Sequence, residues 1–219
     1  MEKNGIVIEG NVYIPDGILF DVDGTIWDST GVVTDAWNKA LIDTGHGDIQ
    51  VTPDRLKGLF GLPMIDIIQD ILPDEGFEEQ ERFKVVCYEY EEEFIRQQSG
   101  VVYDRIAEVL KELSKNYKVI IVSNCQSGYI ELVIEHLGLE EAVTDHVCPG
   151  DSGLLKADNI LLMCEKHGIE RPVYVGDTQM DANACKQANV PMVYAGYGFG
   201  EVKEYAARIE KPADLLELF

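Results

Sequence analysis

The chain has 219 residues, 46% of them hydrophobic, a composition that excludes a disordered or fibrous protein and suits one large domain or a domain with a sizeable insertion. Its 40 acidic against 18 basic residues give a formal net charge of −22. That charge argues against nucleic acid as a partner, and a phosphate-binding site would have to reverse the local sign with a metal ion, a lysine or oriented amides.

In chain order, residues 6–9 and 11–14 alternate apolar and polar around Gly10-Asn11 and predict a short hairpin ahead of the main fold. Gly17 to Val22 is an apolar run bounded by Pro15-Asp16 and Gly24, as expected for a strand buried on both faces. From about residue 30 to 99 only helical patterns occur (Val33, Trp37, Ala40, Leu41; Phe83, Val86, Cys87, Tyr90, Phe94), which reads as an all-helical insertion. Within it the acidic run Glu89 to Glu93 reads as a solvated helix face. Beyond residue 101, helices carrying Ile106, Val109, Leu110 and Leu113, or Ile130, Val133, Ile134 and Leu137 before Gly138, alternate with strands at Lys118–Ser123, 173–176 and 191–195 and a weaker one near 146–148. Such alternation predicts an α/β fold with a parallel sheet covered by helices on both faces.

No apolar run reaches the roughly 18 residues of a membrane span, and Met1-Glu2-Lys3-Asn4 shows no basic and apolar leader pattern, so a cytoplasmic protein is expected. Cys87, Cys125, Cys148, Cys164 and Cys185 are widely spaced without a CxxC pair and read as reduced, mostly buried thiols. His46, His136, His146 and His167 read as ordinary surface or packing residues, and Ser29 or Thr30 as a helix cap. The sequence assigns no oligomeric state.

In an open parallel sheet the ligand site lies beyond the carboxyl ends of the strands. The first strand delivers Asp21-Val22-Asp23-Gly24-Thr25 there, a later one Ser123-Asn124, and another Gly176-Asp177-Thr178 with Asp181 one turn on, while Lys156 opens a helix after the weak strand. An EF-hand loop is excluded because Gly24 comes too early and Val32 stands where the loop's last carboxylate belongs.

These four segments, in this order, resemble the motifs of the haloacid dehalogenase superfamily: Asp21 to Thr25, Ser123-Asn124, Lys156, and Gly176 to Asp181. The resemblance runs from about residue 17 to the end, with one departure: Ala157 follows the lysine where relatives often carry proline. It implies a Rossmann-like parallel sheet core built from residues 1–29 and 100–219, with residues 30–99 as an inserted α-helical cap. It also implies a phosphoric monoester hydrolase. In that reading Asp21 attacks phosphorus to form an aspartyl phosphate, and Asp23 serves as general acid and base. Mg2+ is held by Asp21, the backbone carbonyl of Asp23 and Asp177, with Asp181 close behind. Gly24, Ser123, Asn124 and the amine of Lys156 bind the transferring phosphate, whose charge spreads over its oxygens.

Asp23 favours phosphate esters over the halide and phosphonate substrates of relatives that lack it. The absence of a histidine about twelve residues after Asp21 ranks phosphosugar mutase lower, and a non-enzymatic binding protein on the same fold is the other alternative. Arg55 to Pro63 and Tyr197 to Gly200 are most similar to phosphoglycolate phosphatase-like members, which implies a small phosphorylated metabolite, phosphoglycolate-like or a sugar phosphate. Arg55 and Lys57 are then candidates to meet a second anionic group on the substrate.

Overall fold

The computed structural model describes residues 5–219; the segment Met1-Glu2-Lys3-Asn4, and with it the expectation of no leader, lies outside the described residues. β1 (Ile6–Ile8) and β2 (Asn11–Tyr13) form the expected antiparallel hairpin, with Ile6 opposite Tyr13. β3 (Gly17–Phe20) is buried along its whole length. After β4 (Trp27–Asp28) come four helices without an intervening strand: α1 (Thr30–Asp43), α2 (Pro53–Leu59), α3 (Met64–Ile71) and α4 (Phe77–Gln97). β5 (Val101–Val102) then pairs antiparallel with β4, Trp27 opposite Val102, so a two-residue ribbon ties together the chain entering and leaving the helical segment.

The remainder alternates as α5 (Ile106–Leu113), β6 (Lys118–Val122), α6 (Tyr129–Leu137), β7 (Asp145–Val147), the short α7 (Pro149–Ser152), α8 (Lys156–His167), β8 (Pro172–Gly176), α9 (Gln179–Ala188), β9 (Met192–Ala195), β10 (Ala207–Ile209) and, after a 3-10 turn, α10 (Leu215–Leu218). The main sheet is six-stranded in the order β10-β9-β8-β3-β6-β7, and every pairing in it is parallel. This is the α/β, Rossmann-like architecture expected from the alternation of strands and helices.

The two-residue period of a strand explains how one sheet feeds two cores. Ile18, Phe20, Val119, Ile121, Val173 and Val175 point to one face, where they join α5, α6 and the helical segment. Their alternates Leu19, Ile120, Val122, Tyr174 and Met192 point to the other and meet Ile160 and Met163 of α8 and Cys185 of α9. Among the described residues no helix is long and apolar enough to cross a membrane. All five cysteines are free, and four of them are buried.

Edge strand β7 starts with Asp145, whose carboxylate accepts hydrogen bonds from Lys166 Nζ at 2.7 Å, from the His167 ring at 2.6 Å and from the His146 amide at 2.9 Å. Burial alone would raise its pKa, but these partners hold it down to about 2. A carboxylate depressed in the folded state contributes stability above its ordinary pKa of about 4 and loses it as pH falls from there toward 2. Asp145→Asn is therefore expected to cost about 1 kcal/mol at pH 7, a modest figure because Lys166 is more than half exposed and water screens the pair. Urea unfolding at pH 7 should resolve the difference, and by pH 2 parent and variant should unfold together.

Candidate active site

The carboxyl ends of β3, β6 and β8 meet over the sheet, and each apolar strand hands its chain to a polar residue there. Asp21 follows β3 and donates its amide to the Val175 carbonyl (2.9 Å). Ser123 follows β6, and its hydroxyl bonds the Asp21 carboxylate. Asp177 follows β8, and Lys156 is the first residue of α8.

Lys156, Asp177 and Asp181 are essentially without solvent contact, at 4%, 0% and 0% exposure. A buried ammonium persists only where anions compensate its lost hydration. Here Lys156 Nζ donates to Asp21 Oδ1 at 3.0 Å and to Asp181 Oδ1 at 2.7 Å. Burial pulls the lysine pKa down, but the two carboxylates more than offset it, and the amine stays protonated. Asp181 is the third residue of α9, where it completes a capping box with Thr178. Its Oδ2 accepts from the Asp177 amide (3.2 Å), the Thr178 amide (2.9 Å) and the Thr178 hydroxyl (2.7 Å). Burial would raise Asp181, but Lys156 and Thr178 hold it below the ordinary carboxylate value.

Asp177 has less support. Its oxygens accept from the Phe199 amide (2.7 Å) and, more weakly, the Thr25 hydroxyl (3.3 Å). Burial first, and then the nearby Asp181 and Asp21, push its pKa well above normal. Asp21 is raised too, by burial and Asp181 against the pull of Lys156. One oxygen from each of Asp21, Asp177 and Asp181 lies within 4.8 Å of the others. Three carboxylates around one ammonium leave surplus negative charge, and an all-oxygen donor set of this kind fits a hard divalent cation such as Mg2+. Asp181 is the most heavily bonded of the three, taking Lys156 on one oxygen and the Asp177 amide, the Thr178 amide and the Thr178 hydroxyl on the other, so it holds Lys156 and the turn after β8 in place.

Gly24 takes a different place from the expected phosphate contact. Its amide is donated to the Trp27 carbonyl in a tight turn (2.9 Å), and its φ is +82°. A Cβ there would fall 2.0 Å from Asp177 Oδ2, and one at Gly198 would fall 2.3 Å from Asp177 Cβ. The two glycines let the turn after β3 and the loop after β9 close on Asp177 from both sides.

Asp23 lies beside this cluster without joining it. Its Oδ1 accepts from Ser29 Oγ (2.5 Å) and Tyr129 OH (2.8 Å), and the Trp27 indole donates to Tyr129 in turn (3.2 Å). Burial raises its pKa to about 7 against those two hydroxyls, which favour the charged form. Ser29 stands at the N-cap position of α1, as read from the sequence, but its hydroxyl makes no capping bond and serves Asp23 instead. The carboxylate of Asp28 instead accepts from the Thr30 amide at the start of α1.

The helical segment covers these groups. The Asn124 side-chain amide donates to the Gly61 carbonyl (2.9 Å) in the turn between α2 and α3, so Asn124 reaches across the cleft. Asp21, Asp23 and Ser123 line a cavity of about 50 Å³ with Trp37, Leu62 and Glu91. A groove of about 820 Å³ runs beside it, between α3 and α4 on one side and α6 to α9 on the other, and Asn124, Gln126 and Tyr129 line both.

Arg55 and Lys57 do not line that cavity. Arg55 is spent on the Asp70 carboxylate and carbonyl, linking α2 to α3 on the exposed surface. Lys57 pairs with Asp28 at 3.1 Å, with the Phe199 ring 5.7 Å from its amine. Conversely, Glu91 is buried at 4% exposure, which corrects the reading of Glu89 to Glu93 as wholly solvated. The signal was in the spacing: Phe83, Cys87, Glu91 and Ile95 recur every four residues and form the buried stripe of α4.

The sequence profile of the haloacid dehalogenase-like hydrolases matches residues 18–195. No curated protein sequence matches the chain. Among solved structures, a predicted phosphoglycolate phosphatase from Haemophilus somnus 129PT is similar at 20% identity and a TM-score of 0.80, over 93% of this chain and 97% of that one. A haloacid dehalogenase-like hydrolase from Streptococcus pneumoniae is 19% identical with a TM-score of 0.79, over 92% of this chain and 97% of the other. A predicted phosphatase from Clostridium acetobutylicum is 22% identical with a TM-score of 0.76, over 94% of this chain and 100% of the other.

Proposed function

We propose, from the premise that the chain belongs to the haloacid dehalogenase-like hydrolases, that it is a magnesium-dependent phosphatase of small phosphorylated metabolites acting through a phosphorylated Asp21. The observation that carries this reading is the pairing of two carboxylates in unlike surroundings. Asp21 faces Lys156 and the Asp177 carboxylate, whereas Asp23 is set apart among hydroxyls with a pKa near 7. Such a pair divides the work of nucleophile and acid. The phosphatase names of the structural relatives agree with it.

An Asp21 carboxylate oxygen attacks phosphorus and the ester P–O bond breaks, while the departing alkoxide takes the proton of the Asp23 carboxyl group. Water then attacks the phosphoryl group and gives its proton to the Asp23 carboxylate, which releases inorganic phosphate and restores Asp21. Lys156 and Ser123 keep Asp21 oriented and supply donors toward the phosphoryl oxygens. Mg2+, held by Asp21, Asp177 and the Asp23 carbonyl, would neutralise charge on the phosphoryl oxygens. The helical segment 30–99 is the cap. A cavity of about 50 Å³ holds only one or two water molecules, so substrate enters when this segment moves away from the core, and the β4–β5 ribbon is the tether about which it moves. Five free thiols agree with a reducing, cytoplasmic setting.

Release of inorganic phosphate from small phosphate esters, with and without Mg2+, tests the proposal. Turnover that is unaffected by chelation, or absent with every ester, contradicts it.

Asp177→Asn separates the metal role from the fold. The amide can still accept from the Phe199 amide and meet the Thr25 hydroxyl, while one of three crowded carboxylates is removed. The metal-free variant is expected to melt at or above the parent's temperature, and Mg2+ should raise the melting temperature of the parent but not of the variant. Equal Mg2+ stabilisation of the two proteins would remove Asp177 from the ligand set.

A further inference from the structure

Glu91 is the one residue of the acidic stretch on α4 that turns inward to the cavity shared with Asp21 and Asp23. Its Oε1 accepts from the Trp37 indole of α1, and its Oε2 accepts from the Gln126 side-chain amide of the core at 2.6 Å. Among the described residues no lysine or arginine lines this cavity, and Arg55 and Lys57 are engaged elsewhere. Each carboxylate oxygen has two acceptor positions, so one on each oxygen is free for a ligand. The two donors come from opposite sides of the cleft and hold the carboxylate in place when cap and core are together.

We propose that Glu91 is the specificity residue of this site and selects phosphate esters whose leaving group ends in a hydrogen-bond donor, a hydroxyl or an ammonium, while rejecting those ending in a carboxylate. This rests on the phosphatase reading above and narrows it. The phosphoryl group belongs at Asp21, which places the leaving group on the Asp23 side, facing Trp37 and Glu91. In that space a donor group fills the free acceptor positions of Glu91, and an ammonium also neutralises it. A carboxylate has no donor to offer those positions, and it sets a second negative charge against Glu91 wherever Glu91 is ionised. Burial raises Glu91 to about 7, so this repulsion holds above neutral pH, where Glu91 is ionised, and fades below it as Glu91 takes up a proton; the selectivity is therefore read above pH 7.

The test uses four esters with two-carbon leaving groups: 2-hydroxyethyl phosphate, 2-aminoethyl phosphate, ethyl phosphate and phosphoglycolate. The parent is expected to show kcat/KM at least about tenfold higher for the better of the two donor-bearing esters than for phosphoglycolate, with ethyl phosphate between. The better of the two distinguishes a polyol-type from an amino-alcohol substrate. Glu91→Gln keeps the shape and an acceptor for Trp37. It should raise phosphoglycolate relative to 2-hydroxyethyl phosphate by about tenfold while changing ethyl phosphate little. A parent that prefers phosphoglycolate, or a variant in which all four esters change by the same factor, overturns the proposal and would make Glu91 a purely structural carboxylate. Affinities of the four esters for the Asp21→Asn protein, measured by calorimetry, should follow the same order without turnover. A contrary order there sinks the specificity assignment, whereas intact selectivity without hydrolysis by the parent sinks only the phosphatase reading.

Discussion

Asparagine at position 21 is expected to reduce phosphate release by at least roughly 1,000-fold, because nucleophile removal in an enzyme with a covalent intermediate leaves only binding and electrostatic assistance. The amide is close in size to the carboxylate it replaces and can keep contacts with Lys156 and Ser123, but it neither attacks phosphorus at a useful rate nor serves as an anionic metal ligand. Lys156 retains Asp181 at 2.7 Å, so its charge is not stranded. Burial makes the ionised Asp21 costly in the folded chain, and its removal should leave the melting temperature unchanged or higher. Activity and thermal melting are read together: a loss of only a few-fold in a folded variant would remove Asp21 as nucleophile, and a large loss accompanied by unfolding would show a structural role instead.

Asp23→Asn is expected to reduce kcat by roughly 100- to 10,000-fold with alkyl esters, the usual worth of general acid and base catalysis. The loss should be smaller with an aryl phosphate, whose phenoxide leaves without needing a proton. A second signature lies in the pH profile. Asp23 works as an acid only while protonated, and its pKa of about 7 means that this form is present below neutrality and lost as pH rises through 7. The parent's alkyl-ester rate should show that falling limb, and the variant's should not. Equal losses with alkyl and aryl esters, or a falling limb that persists in the variant, would assign the proton transfer to another group.

What could be read in the chain and what could not follows from how far each signal reaches. β3, β6 and β8 were legible because each is an apolar run that stops at a polar residue, and the same stops mark Asp21, Ser123 and Asp177. β10 was not, since its three residues include the exposed Arg208 and pair on one side only. β4 and β5 have two residues each, too few for any periodicity, and their pairing spans the whole helical segment. The partners of Arg55 and Lys57 were illegible for a related reason: a sequence displays a charge but not its partner, and Arg55 finds Asp70 fifteen residues away while Lys57 finds Asp28. Glu91 was hidden by its neighbours. Its charge matches the solvated residues around it, and only the four-residue spacing from Cys87 sets it on the buried face. The tyrosine on Asp23 comes from α6, 106 residues away, and no local pattern announces such a contact.

The central claim is that the phosphoryl group passes through Asp21. Protein incubated with Mg2+ and excess substrate, quenched in acid during turnover and digested, should yield the peptide containing Asp21 with the added mass of one phosphoryl group, and fragmentation should place that mass on Asp21. The Asp21→Asn protein should yield none. Phosphate found on Asp23 or another residue, or no phosphorylated peptide while phosphate release proceeds at full rate, would contradict the account.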